Sequence, residues 1–572
     1  MAGLLEAVRP ARRYGDGGPG LPRLCGRLIR LKLTILGHSS PGMRLARLIC
    51  WPAAVAVSWL AVVFADGPAA RHDVLLVGLA LWTAGWVTGP VLASGAGVLR
   101  PDWFALLPLD RRRLGLALLA AALVGVGPAV TLLALGALLP HATGLGAGAV
   151  AVTVAALPLL LVFLVALSRL VYAAMGAAMG SRLGVAISAV QYGALLAGMT
   201  VGWVALDAVG GGIAGLLRDG LPGTAAARGL ELLPTAWPVL AAEAAGEGRT
   251  AAALGLLLAL AVAAAALVAV CLTLLAPRPR TVRPAARVRR RARLGLLPAT
   301  PLGAVAAKEL RQWWRDPWRS LEIQCACWFG VLVAVLGWIS GVSELVPFAG
   351  AAVAFSVALS ACNLLGQDGT AFWLTVAGQG PGSLRADIRG RQLALLLLFT
   401  PPAVVLGVAG TALSGVDWAW PLLGLLPALL GIGAGLAVLL SVVAVTAGVD
   451  PKYRVGPNDA GDVTFQVWVA LLSVGVLASP AIVVAAAGAR SGGAGAVWTS
   501  VAVGLLNGAV VAWLLGRIAA ARLHARLPET FARLRYGKAI ALEQQPAGTG
   551  GLLDWMERTA VDTNQERRPV GS

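Results

Sequence analysis

Apolar residues in this chain do not alternate with polar ones. They gather into blocks long enough to cross ~30 Å of hydrocarbon, which takes ~20 residues of helix. About twelve such blocks can be read: residues 45–65, 74–98, 114–139, 147–168, 185–208 and 251–275, then 323–341, 346–366, 391–414, 420–448, 465–488 and 495–518. They form two sets of six. Each set opens with a basic segment in which a lysine stands nine residues before a proline, Lys32 to Pro41 and Lys308 to Pro317. The pattern predicts an all-α polytopic transmembrane helix bundle built as two six-span repeats. The expected order is an N-terminal cytoplasmic segment with a first entry helix (1–44), a six-span unit (45–276), a basic linker (277–304), a second entry helix (305–322), a second six-span unit (323–520) and a cytoplasmic tail (521–572).

Composition agrees with a membrane chain. Of 572 residues 58% are hydrophobic and only 13% charged, too few charges to clothe a soluble protein of this size. The net charge of +19 would suggest nucleic acid in a soluble protein. Here the basic residues lie between the blocks, so anionic lipid headgroups are the expected counterpart and no nucleic acid is expected. With the N-terminus inside, only Arg71, Arg218, Arg228, Arg249 and Arg490 of the 46 basic residues fall outside. This places both termini in the cytoplasm. Met1 to Arg30 has no apolar core before a cleavage site, so no cleavable signal is expected. The arginine-rich, alanine- and glycine-rich composition suggests a bacterial plasma membrane protein. All six cysteines fall in blocks or on the inner side, and free thiols are expected.

Two kinds of segment stand out on the inner side. The stretch 305–321 interleaves Lys308, Glu309, Arg311, Arg315, Asp316 and Arg319 with Leu310, Trp313, Trp314 and Trp318. It suits a helix lying among the headgroups, ended by Pro317, which has no amide to donate. It reads equally as a plain anchor and as a moving part. The second kind follows the second block of each set: Gln367, Asp368, Gly369, Phe372 and Trp373, and in the first set Asp102, Trp103 and Phe104 within Pro101 to Pro108. Each such loop leads through a basic cluster into the next block. On the outside, 208–250 is too broken to span and suits short helices that dip into the outer leaflet. In the tail, 527–542 and 552–558 suit short helices.

The absences narrow the chemistry. There is no phosphate loop around any of the four lysines, and the four histidines (His38, His72, His141, His524) fit no metal spacing. No carboxylate pair sits at mid-membrane. Asp207 lies near the outer end of the fifth block, and Glu344 and Asp417 lie in outer turns. Gln191, Tyr192, Asn363, Gln466 and Asn507 are the polar residues available to line a cavity. No catalytic, metal-binding or cofactor-binding residue is expected in this chain.

Lys308-Glu309-Leu310 with Arg315-Asp316-Pro317, the loop Gln367-Asp368-Gly369 with Phe372-Trp373, and Leu107-Pro108 with Arg113 resemble an ABC transporter permease of the type-2 exporter class, in the form that fuses two six-span units. The resemblance covers most of 25–520. It implies that Lys308, Glu309, Arg315, Asp316 and Pro317 belong to an interfacial elbow. It implies that 366–373 and 101–108 are segments coupling to a cytoplasmic ABC ATPase, present in two copies per chain and holding the ATP and Mg. Multidrug or antibiotic efflux is the usual guess for that class, and peptide, lipid or polymer export would look the same in the sequence. The first elbow departs from the pattern, with Leu33 where Glu309 stands and Ser40 where Asp316 stands. A stand-alone secondary transporter is the alternative. A membrane enzyme would need an acidic cluster outside, where Glu243 and Glu247 are the nearby pair.

Overall fold

The computed structural model describes residues 20–37, 41–92, 99, 104, 107, 109–178, 181–210, 212–221, 225–274, 297–378, 382–448, 461, 463–536 and 556. Of these residues 88% are helical and none is in a strand. Ten helical segments among them are long and apolar enough to cross a membrane, and they match the third to twelfth apolar blocks. The chain is therefore an all-α, multi-pass bundle.

In chain order the helices are α1 (Leu21–Gly37), α2 (Pro41–Val63), α3 (Gly67–Leu92), α4 (Arg111–Leu123), α5 (Val126–Leu135), α6 (Leu138–Leu145), α7 (Ala147–Ala178) and α8 (Arg182–Gly210). Three short helices follow, α9 (Gly212–Arg218), α10 (Ala225–Glu231) and α11 (Trp237–Gly246), and then α12 (Thr250–Leu274). The remainder holds α13 (Pro301–Arg315), α14 (Pro317–Ile339), α15 (Ala349–Ser360), α16 (Leu364–Asp368), α17 (Trp373–Ala377), α18 (Ser383–Ser414), α19 (Leu425–Val443), α20 (Thr464–Ser491), α21 (Gly493–Ala525) and α22 (Leu527–Tyr536).

Two apolar blocks are interrupted for visible reasons. The third breaks between α4 and α5 at Gly125, whose φ of 142° is open to glycine and strained for other residues. The eighth breaks after Ser360, where Asn363 leaves the helical region (φ −135°, ψ 44°) and α16 restarts the chain. Both breaks sit inside runs that hydropathy alone reads as continuous.

The described residues divide into two compact units. Unit 1 comprises 20–174 and 213–274. Its main apolar core joins Val62 of α2, Leu76 of α3, Leu135 of α5, Leu160 of α7, Val239 of α11 and Leu260 of α12. A second cluster joins Leu24 and Leu28 of α1 to Leu114 and Ala117 of α4, with Phe104 among them.

Unit 2 comprises 175–212, 297–536 and Met556. Its centre is α19, in which every residue from 430 to 443 is buried. A helix apolar on all sides belongs in the middle of a bundle rather than at its surface. Around α19 the backbones approach closely through glycine. A Cβ on Gly504 or Gly508 of α21 would run into the carbonyl oxygens of Gly424 and Pro427, the small-residue contact that drives helix association in lipid. α8, the fifth apolar block of the first set, belongs to this unit. It packs along α14, with Gly193 against the backbone of Trp328 and Phe329 and Ala197 against Phe329 and Val333.

Candidate functional site: a buried ion network at the entry helix

The site begins with a helix start. Thr300 accepts a hydrogen bond from the Gly303 amide at 3.2 Å, and Pro301 takes the first helical position, where no amide is needed. α13 then runs with Gly303, Ala306, Ala307, Glu309 and Trp313 buried and with Arg311, Trp314 and Arg315 exposed. This is the amphipathic pattern the sequence predicts. The two adjacent tryptophans part company, because one faces in and the next faces out. Trp313 meets Phe399 of α18 edge to face at 5.7 Å, while Trp314 is 77% exposed.

Pro317 ends α13 as expected. The residue before a proline is pushed out of the helical region, and Asp316 stands at φ −79°, ψ 117°. Its carboxylate accepts from the Trp318 amide at 3.0 Å and so caps α14. The seventh span thus starts at Pro317 rather than at 323. Arg319, in its first turn, is carried back under α13.

Four elements meet there. Arg319 donates to Glu309 at 2.5 Å and to Asp368 at 2.9 Å. Arg391, from α18, donates to Asp368 at 2.6 Å and to Asp387 at 3.0 Å, and faces Glu309 as an ion pair at 2.9 Å. Lys308 reaches Asp368 at 2.6 Å and Glu309 at 3.2 Å. Three cations and three carboxylates balance, and all but Lys308 are buried. Burial alone would raise the carboxyl of Glu309, but Arg391 and Arg319 outweigh it and hold it below the usual carboxylate range. Asp368 is likewise opposed by burial and held well below its usual range by Arg391, Lys308 and Arg319. Such a network is a weak source of net stability, since desolvation costs several kcal/mol per ion and offsets much of the attraction. What it does is join α13, α14, α16 and α18 at one buried point.

Asp368 is presented by a short segment that is itself clamped. Asn363 donates to the carbonyl and hydroxyl of Thr446 at 3.0 and 2.8 Å, and the Thr446 amide returns a bond to Asn363 at 3.2 Å. The Leu364 amide donates to Ser441 at 2.8 Å, and Gln466 donates to the Ala444 carbonyl at 2.6 Å. Gly369 ends α16 at φ 56°, ψ −132°, a conformation that glycine alone adopts without strain.

The residues singled out from the sequence are distributed as follows. Lys308, Glu309 and Asp368 are in the network, and Asp316 and Pro317 make the turn beside it. Arg315 lies on the exposed face. Gln367 and Phe372 are buried, and Gln367 donates to Glu322 at 3.3 Å. Of the loop residues expected at a partner's surface, Trp373 is presented, 53% exposed with Leu374 beside it at 59%. Asp368 has no free carboxylate face to offer a partner.

Of the residues expected to line a cavity, Asn363 and Gln466 converge on Thr446 in a packing knot. Asn507 donates to the Leu477 carbonyl at 3.2 Å. Gln191 and Tyr192 lie on α8, partly buried. Asp207, Glu344 and Asp417 are exposed. Asp102 and Trp103 lie outside the described residues, whereas Phe104 is buried between α1 and α4.

In the sequence Arg319 read as one charge of the interfacial stretch 305–321 and Arg391 as one of the basic cluster before the ninth block, and Asp387 went unremarked. The missed signal was the pair Asp387 and Arg391, four apart and therefore on one helix face at the mouth of a span.

The first entry helix solves a different problem with its lysine. Lys32 of α1 is buried and donates to the carbonyls of Ala121, Ala122 and Val124 at 2.8, 3.3 and 2.8 Å. These are carbonyls left open where α4 breaks before Gly125. Burial first, then the charge of Arg169, lowers its pKa to about 8. Both entry helices are thus pinned through the same lysine position, one to a carboxylate network and one to a broken helix end.

Compared with protein families, with curated proteins and with solved structures, the chain matches none.

Proposed function

We propose that this chain is the transmembrane permease subunit of an ABC exporter of the type-2 class, with two six-span halves fused in one chain, in a bacterial plasma membrane. It would move an amphipathic or lipophilic substrate outward, driven by ATP and Mg on a separate cytoplasmic ABC ATPase bound at two copies per chain. The observation that carries the reading is the ion network. It ties the entry helix α13 to the loop after the second span of its set and to the foot of α18, and these are the parts that must move together if a partner pushes on the loop. Trp373 and Leu374 supply the exposed point of contact. Asp368, just behind them, transmits the push to α13, α14 and α18 as a positioning residue. The mostly apolar spans favour a lipophilic cargo.

The test is to purify the tagged chain in mild detergent and weigh what accompanies it by native mass spectrometry. The expected result is a complex with two ATPase copies. Trp373→Glu should lose those copies while keeping the wild-type melting temperature, since Trp373 is at the surface. A chain that purifies alone under several mild conditions, and transports on an ion gradient without ATP, would overturn the proposal in favour of a secondary transporter.

A further inference from the structure

Three segments of unit 1 that the charge pattern puts on the outer side converge around one carboxylate. Glu243 of α11 receives His72 of α3 and His141 of α6 on the same oxygen, Oε1, at 2.7 and 3.1 Å. An ionised carboxylate only accepts, so each imidazole donates there, His72 through Nδ1–H and His141 through Nε2–H. This assignment fixes the other nitrogen of His72. In the neutral ring Nε2 is a lone pair, and it faces Glu231 Oε1 of α10 at 3.7 Å. Two acceptors then oppose each other. Adding one proton turns Nε2 into a donor, and the opposition becomes an ion pair.

We infer that His72, His141, Glu231 and Glu243 form a proton-binding clamp that fastens the outer ends of α3, α6, α10 and α11 to one another in mildly acidic surroundings and loosens them in alkaline ones.

The neighbouring carboxylates favour this direction. Asp73 lies beside His72 on α3 and accepts from the Leu221 amide at 2.6 Å. Arg71 on α3 and Arg228 on α10 are the nearby cations of those helices. The packed faces of α2 from Trp51 to Val63 and of α12 carry no titratable side chain apart from Cys271 near the far end of α12. Among the described residues no three His, Cys, Asp or Glu converge so as to hold a metal ion. The bond to Glu243 raises the pKa of His72, outweighing burial, with Glu243, Asp73 and Glu231 adding their charge. Glu243 is pushed up by burial but pulled down to about 2 by its bonds to His141 and His72 and by their charge.

A raised histidine stabilises fully below its ordinary value of about 6.5 and loses that contribution as pH rises through the raised one. A depressed carboxylate contributes above its ordinary value of about 4.5 and loses that as pH falls toward about 2. The clamp is therefore tightest between about pH 4.5 and about pH 6.5.

Hydrogen exchange on the intact chain in nanodiscs reads this directly. Amides of 71–76 and 239–246 should be several-fold better protected at about pH 6 than at about pH 8, after correction for intrinsic exchange. His72→Gln keeps a donor toward Glu243 but cannot gain the proton, and should abolish the difference. Glu231→Gln, at a half-exposed site that tolerates substitution, should shrink it. Equal protection of the wild type at both pH values would overturn the inference. So would a pH effect that survives unchanged in Glu231→Gln or His72→Gln.

Discussion

Asp368 illustrates how a side chain of ordinary appearance becomes indispensable through its neighbours. Three cations bond its carboxylate. Asp368→Asn preserves the shape but leaves Arg319 and Arg391 with one partner fewer in the interior. Removing one member of a buried pair costs about 3–5 kcal/mol, so this variant should melt well below wild type in a detergent thermal scan. The double variant Asp368→Asn with Arg319→Met should recover part of the loss, because it removes an unpaired charge; additive losses would contradict the network. Since Glu309 and Asp368 both have depressed pKa values, their contribution is present above the ordinary carboxylate range and fades only as pH falls below it. The network is thus insensitive to pH near neutrality, unlike the histidine cluster of unit 1. In the sequence Asp368 was legible as a loop residue worth attention, but its direction was not. Its partners come from 60, 49 and 23 residues away, and a linear pattern carries no record of such separations.

At the scale of elements, apolar blocks and caps were the legible part. Pro317 announced the junction of α13 and α14, whereas α19 read as one apolar block among twelve and its central place did not show. The breaks were illegible because they depend on distant groups: Ser441 and Thr446 receive the chain after α15, and Lys32 caps α4. Helix contacts made by glycine were legible only as composition. In the structure they have addresses. Gly508→Leu would drive a side chain into the Pro427 carbonyl and the Ala428 backbone, at a place where α19 is hemmed in on every side. Overpacking a tight core costs typically about 1–3 kcal/mol, and backbone, unlike a side chain, has little room to yield. The expected outcome is a lower melting temperature and reduced yield of folded protein, against little change for Gly475→Leu in α20, where a Cβ meets nothing within 4 Å. Equal behaviour of the two variants would show that α19 and α21 are not in contact through this glycine.

At the scale of the whole molecule, the two compact units do not follow the two repeats read from the sequence. The fifth block of the first set, α8, is built into unit 2, where Val185 and Ala189 share an apolar cluster with Trp318 and Leu321, and Gly193 lets α8 lie against the α14 backbone. Along the chain the units change over between 274 and 297, where the sequence places its linker, and again on either side of α8. A consequence follows for a chain cut in that linker. If the halves were joined only by the linker, a protease site placed within 277–296 would release two separate fragments on cleavage. Because α8 is chemically part of the first fragment and packed within the second, the fragments should instead remain together through size exclusion in mild detergent. Gly193→Leu should undo this, since a side chain there meets the Trp328 side chain and the Phe329 amide at 2.7 and 2.9 Å and must lever α8 away. Fragments of the otherwise unmodified chain that separate freely would mean that α8 is not held by α14. Fragments that stay joined even with leucine at 193 would mean that the hold lies elsewhere along the helix, with Trp318 and Leu321 the next residues to replace.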